Sequence, residues 1–157
     1  MAVQAISTAG MLVKWAPEVT AGSRPVSGYT ELHGVTALPA LGDSVNTLQT
    51  TPLSATKNHT YIPGLADPGG AIQITVNDAP AFRTDYASMY SSYTTALASN
   101  KGFWLEYVYP AAYSMSSFYI PVALAPLGFG GADVDSVLTN MLNVIPGGDY
   151  EFAAKST

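Results

Sequence analysis

The chain contains no cysteine, which excludes a disulfide framework, a thiolate metal site and thiol redox chemistry. Charge is scarce as well. Charged residues make up 11% of the sequence, against roughly 25% in ordinary soluble domains. The 6 basic residues are scattered singly and the net charge is -5, so no cationic groove for nucleic-acid phosphates can form. Only His33 and His59 are present, without the HxxxH spacing that places two imidazoles on one helix face. The longest apolar run, Ile120 to Leu127, is cut by Pro121 and Pro126 and falls short of the ~20 residues of a bilayer span. The opening stretch, Met1 to Trp15, lacks a basic start followed by an apolar block, so no secretory signal is recognised.

Catalytic motifs are missing too. Gly128-Phe129-Gly130-Gly131 has no following lysine and no GxGxxG frame, and reads as a flexible joint. No GxSxG elbow occurs, and Ser114, Ser116 and Ser117 have no motif-linked base. Asp133 and Asp135 lack the rest of a calcium loop. These absences predict a protein that is not an enzyme and has neither cofactor nor metal.

What is present is a single domain's worth of chain, 157 residues with 48% apolar content, 14 Gly and 11 Pro, long enough to bury a real core. With so few charges, its surface rests on neutral polar groups and invites coverage, most simply by self-association.

The most informative stretch runs from Leu48 to Val76. Leu48 to Thr50 extends, and Pro52 biases Thr51 away from helical torsions. A polar run, Ser54 to Thr60, leads to Tyr61-Ile62 and then to the turn-rich Pro63 to Gly70. Ile72, Ile74 and Val76 then alternate with Gln73, Thr75 and Asn77 as a half-buried strand. The reading is strand, long arm, strand. Arms of this length are functional, disordered or plain surface loops. Leu53, Tyr61, Ile62 and Leu65 argue against disorder.

Before the arm, Val3 to Thr8 and Met11 to Ala16 read as short strands, paired as a hairpin around Ala9-Gly10. Tyr29 to Thr36 extends again, with Tyr29, Glu31 and His33 on one face. After it, Phe82, Tyr86, Met89, Tyr90, Tyr93 and Leu97 recur at helical spacing and predict a helix over about 80–99 that docks on a sheet. Asp78 is its expected cap, Pro80 suits its first turn, Asp85 its positive end, and Asn100-Lys101-Gly102 its stop.

Phe103 to Tyr109 reads as an aromatic strand covered on both faces. Phe118, Ile120, Val122 and Leu124 line another, in which Pro121 predicts an edge or irregular position. Val134 to Ile145 is ambiguous: its periodicity fits a helix, whereas its β-branched content and bounding Gly131 and Pro146-Gly147-Gly148 suit a strand. In the closing segment Tyr150 and Phe152 are candidates to dock.

This order of elements resembles the major tail tube proteins of long-tailed, non-contractile (siphovirus-type) bacteriophages. The resemblance rests on Glu31 to Pro39 (ELHGVTALP), Leu48 to Ser54 (LQTTPLS), Tyr61 to Gly69 (YIPGLADPG) and the helix and strands that follow, and covers about Ala5 to Phe152. It implies a mainly β subunit, a β-sandwich or barrel with one central helix, forming one tail-tube domain over 1–157. Such subunits assemble as hexameric rings stacked into a hollow tube, their inner strands joined into one barrel. The arm, here about 42–70, reaches the neighbouring ring through Leu48, Thr51, Pro52, Leu53, Tyr61, Ile62 and Leu65. The resemblance also favours a strand over 134–145.

The implied place is the virion tail, after synthesis in the bacterial host cytoplasm. Implied partners are further copies of the chain, tail tip and tail-completion proteins and the tape measure protein. DNA would pass through the lumen without specific binding, helped by lumen-facing carboxylates, for which Glu31 and Glu106 are the candidates; no membrane is involved. Two alternatives are a tail-terminator or secretion-tube ring of related fold and, from another class, a small-ligand-binding β-barrel.

Overall fold

A computed structural model describes residues 5–157. Its elements in chain order are β1 (Leu12–Pro17), β2 (Thr30–Glu31), β3 (Val35–Ala37), β4 (Ser44–Gln49), β5 (Tyr61–Asp67), β6 (Ile72–Asn77), α1 (Pro80–Ala98), β7 (Phe103–Val108), β8 (Ser117–Leu124), β9 (Gly128–Phe129), β10 (Thr139–Pro146) and β11 (Glu151–Ala153). Part of the expected strand at Val3 to Thr8 lies outside the described residues. Residues 5–8 are not a strand, and β1 pairs instead with β2 and β7.

One antiparallel sheet runs in the order β2-β1-β7-β8-β10-β6-β3, with β11 added to β8 and β9 to β10. Its two edges, β2 and β3, are consecutive in the chain, so Tyr29 to Thr36 is not one strand. Only Leu32, His33 and Gly34 separate Glu31 from Val35, a span of at most about 14 Å. Seven flat strands would cover roughly 29 Å from first to last. The sheet must therefore curl into a barrel-like shape with its edges drawn together.

Gly34 makes the corner. Its φ of 84° is a conformation that side chains disfavour, and its carbonyl accepts the Asn77 N–H at 2.7 Å. Leu32 is buried beside it. His33 is tied to α1 by Asp85, which accepts from the His33 backbone N–H at 3.0 Å and meets Nδ1 at 2.6 Å.

Inside the curl, Val13, Trp15, Leu105, Phe118, Ile120, Val122, Ile74, Val76, Leu142 and Val144 form one core. Alternation along each strand supplies them. α1 adds Phe82 and Met89, both fully buried, and Ala96, with Tyr86 and Tyr93 partly buried against the cluster. That stripe steps by four, three, four and three residues, the helical repeat.

Two residues expected on the packed face lie off it. Tyr90 and Leu97 are 47% and 61% exposed, because each sits one position beyond the stripe member Met89 or Ala96. Tyr90 stays in the aromatic row through Tyr86 and Tyr93. The expected first-turn roles are also corrected. Ala79 is the N-cap and Pro80 opens the helix, whereas Asp78 accepts from two of the guanidinium nitrogens of Arg83, Nε and Nη2, and Asp85 serves His33. The stop is as expected: Asn100 is left-handed, with φ 54°, and Lys101 N–H reaches back to Ala96 O at 2.9 Å.

Three readings of the later chain resolve. Residues 139–146 are strand, whereas Val134 and Val137 lie in the loop before it. The helical stripe was coincidental: of Val134, Val137, Leu138, Met141, Leu142 and Ile145 only Leu142 is buried in the core, where Val144, off that stripe, joins it. Gly128-Phe129 is a short strand on β10 rather than a free joint. Pro121 does not make β8 an edge. It sits where the neighbour changes, β11 covering Ser117 to Tyr119 and β10 covering Val122 to Leu124. A missing N–H is tolerated at such a changeover.

Candidate assembly surface

The arm is a second, separate sheet. β4 and β5 pair with each other and, among the described residues, with no other strand, forming a ribbon that two connecting segments join to the main fold. The expected turn-rich loop at Pro63 to Gly70 is thus largely strand. Proline is acceptable here because a two-stranded ribbon leaves one side of each strand without ladder partners. The ladder slips between Val45 and Thr47. At that slip Gly64 lies so close that a Cβ would stand 2.9 Å from Asn46 O, so the backbones meet only because residue 64 has no side chain.

The tip holds itself together by hydrogen bonds. Thr50 N–H donates to Thr60 O at 2.8 Å, and Thr60 N–H to Thr51 Oγ1 at 2.9 Å. Gln49 Nε2 lies 2.9 Å from His59 Nδ1 and 3.2 Å from Thr51 Oγ1. Ala55 N–H closes a turn on Pro52 O. The ribbon is therefore structured to its end.

Every residue of β4 is exposed, and all of β5 except Gly64. Leu48, Pro52, Leu53, Tyr61, Ile62 and Leu65 are all wet, Leu53 and Leu65 almost completely, whereas Thr51 is half-buried in the tip. The seven residues expected to act together are thus gathered on one ribbon. An isolated two-stranded hairpin is marginal in water, and a contiguous apolar patch marks a contact surface.

The two acidic candidates part company. Glu31 is partly exposed on the edge strand β2, with His33 Nε2 at 3.9 Å. Glu106 is completely buried and presents its charge to no surface. Its carboxylate accepts from Ser156 Oγ at 2.6 Å and Ser156 N–H at 3.1 Å, and lies 3.0 Å from Tyr119 Oη. Burial pushes its pKa up, but the hydrogen bonds from Ser156 and Tyr119 outweigh this and hold it below the ordinary value.

Glu106 instead fastens the closing segment. Around it, β11 pairs with β8, Tyr119 Oη meets Ala154 O at 2.6 Å, and Arg24 stacks over the Tyr119 ring while pairing with Glu151. Tyr150 docks on Phe118, at 5.1 Å between ring centroids, and packs against the core, whereas Phe152 touches the same ring, also at 5.1 Å, but stays 65% exposed. The sequence held a signal for this anchor: a lone carboxylate among the covered residues of an aromatic strand must find buried partners.

A second uncovered surface was also missed. Phe129, Val134 and Val137 are 69%, 100% and 69% exposed, at and beyond the end of β9. The strands β3, β6, β9 and β10 carry no charged residue, so the outer face of that half of the sheet is neutral. Among the described residues there is no group of three or more His, Asp or Glu fit to hold a metal ion, and no helix long and apolar enough to cross a membrane.

No family model matches this chain, and no curated protein matches it in sequence. Solved structures do match its fold. A chain from the 6-fold symmetrised baseplate of the anti-feeding prophage aligns with a TM-score of 0.65 at 12% identity, covering 98% of both chains. A chain from that particle's tube-terminating cap gives 0.60 at 16%, covering 98% of this chain and 95% of the other. A chain from the tail of an empty gene transfer agent particle, refined with C6 symmetry, gives 0.57 at 14%, covering 96% and 100%. The protein thus has a tail-tube-like fold: mainly β, one helix, a curled half-barrel sheet and a small separate sheet.

Proposed function

We propose that this protein is a non-catalytic structural subunit that polymerises as stacked hexameric rings into the hollow tail tube of a phage or phage-like particle. The observation that carries this reading is the ribbon, a structured two-stranded arm whose apolar residues are wet on both faces. Such a surface is stable and soluble when another molecule covers it. The curled sheet supports the same reading, since β2 and β3 are strand edges of the kind that neighbouring copies cover in a closed ring.

In this reading the ribbon, through Leu48, Thr51, Pro52, Leu53, Tyr61, Ile62 and Leu65, contacts the neighbouring ring. The tube conducts DNA during ejection. Its wall binds DNA weakly, because phosphate binding is driven by cations and few are available; Glu31 is the remaining candidate for a lumen-facing carboxylate. The particle is of the siphovirus type, the protein resides in the virion tail after synthesis in the bacterial host cytoplasm, and its further partners are the tail tip, tail-completion and tape measure proteins. A second reading, a ring that terminates the tube, draws on the likeness to the cap chain.

Negative-stain electron microscopy of the concentrated protein separates these readings. Hollow tubes of uniform width are expected. Single rings that never stack would favour the terminator, and monodisperse particles without rings would overturn assembly by this chain alone.

A further inference from the structure

The pairing of β6 gives the subunit two distinct ends. β3 pairs Val35 with Val76 and Ala37 with Thr75, so the chain leaves β3 towards Ile72, and the ribbon joins the fold at that end. β10 pairs Thr139 with Asn77 and Val144 with Ile72, which puts the loop 131–138 at the Asn77 end. Asp78 N–H fixes it there by donating to Leu138 O at 2.9 Å. About 17 Å of strand lies between the two ends.

The two ends are chemically complementary. The ribbon tip offers fully exposed Leu53 and Lys57, the one Lys or Arg between residues 42 and 70. The loop offers fully exposed Val134 and exposed Val137, with Asp133 and Asp135 on either side of Val134. Among the described residues, none of these three charges takes part in an ion pair. Two different patches, one on a ribbon rooted at the Ile72 end and one at the Asn77 end, define a heterologous contact, which repeats in one direction instead of closing on itself.

We propose that the loop 131–138 is the receptor for the ribbon tip of a second copy of this chain, with Leu53 seated on Val134 and Val137 and Lys57 beside Asp133 and Asp135. This rests on the self-assembly reading above and names the partner surface within it. The contact sets the direction of stacking, ribbon end to loop end along β6. Its charge pairs are solvent-near and act on register and selectivity more than on raw affinity.

The absence of cysteine makes the test clean. Ser54→Cys and Ala132→Cys variants, each with one thiol, are mixed at high concentration and treated with a short bis-maleimide. The mixed 54–132 product is expected to dominate over self-linked products. Only like-with-like products, or none, overturn the proposal. In parallel, Lys57→Glu and the pair Asp133→Lys with Asp135→Lys are each expected to raise the concentration needed for polymer several-fold. The three together should restore it. Unchanged assembly in the single reversals, or no rescue in combination, also overturns the contact. Tubes without the mixed product leave the tube reading standing and remove this receptor, whereas the mixed product without rings or tubes does the reverse.

Discussion

β4 and β6 are both six-residue antiparallel strands in which apolar and polar side chains mingle, SVNTLQ and IQITVN, yet they meet opposite fates. In β6, Ile74 and Val76 are completely buried; in β4, Val45 and Leu48 stay about half exposed. The difference lies in their neighbours. β6 is held between β3 and β10 and faces the core that α1 helps to fill, whereas β4 has only β5. Local propensity made both strands, and the neighbours decided which one became core. The protein is therefore a finished core carrying an unfinished ribbon.

That contrast can be broken most forcefully in the core. Truncating Phe82 or Met89 to Ala is expected to cost about 2–5 kcal/mol, read by denaturant unfolding. Leu53→Ser or Leu65→Ser on the ribbon should shift folding stability by less than about 0.5 kcal/mol while suppressing polymer formation. Ribbon substitutions that unfold the monomer would show that the ribbon belongs to the core's cooperative unit.

The closing segment is an intermediate case, docked yet held by few groups. Glu106→Ala leaves the Ser156 hydroxyl and N–H without their acceptor, while Tyr119 keeps Ala154 O, and should cost about 1–3 kcal/mol. Proteolysis near residues 151–157 should rise with it. The carboxyl's folded pKa lies below its ordinary value of 4.5, so its contribution is complete above that pH and is lost as the pH falls through the depressed value. An acid-unfolding profile should accordingly be shallower in the variant.

A smaller effect separates the ribbon from its base. Gly64→Ala places a Cβ against Asn46 O and should open the ribbon at its slip, speeding amide exchange in β4 and β5 but not in β6. Exchange that rises equally in β6 would deny the ribbon its independence.

The smallest effect sits at the corner between the sheet edges. Its hydrogen bond with Asp85, then the charges of Asp85 and Glu31, raise the His33 pKa. Its contribution is therefore present at lower pH and fades as the pH rises through the raised value, opposite in sign to that of Glu106. An NMR titration of Asp85→Asn should bring the imidazole back towards its ordinary 6.5.

Much of this architecture can be read from residues taken in order. The half-buried alternation of β6, the covered aromatic strand β7, and the helix with its Asn100 stop all follow from periodicity and local backbone preference, which act over a few residues. The gathering of the ribbon's apolar residues follows from the placement of Pro, Gly and Leu between two strands. Period alone misled where two periods fit the same letters. Val134 to Ile145 satisfied a helical stripe, and only the ladder with β6 selects the strand.

Side-chain fate was the other gap. Tyr90 and Leu97 match the helical spacing of their neighbours, but which arc of α1 faces inward depends on the sheet beneath it. Glu31 and Glu106 look alike as strand carboxylates, and it is Ser156, fifty residues from Glu106, that buries one and not the other. Sequence alone determined the class of fold, the existence of the arm and the poverty of charge, because these are sums over local residues. Tertiary structure decided which surfaces stay uncovered, and at which ends of β6 they lie. Burial and polarity arise from pairings between residues far apart in the chain, and local pattern carries no record of them.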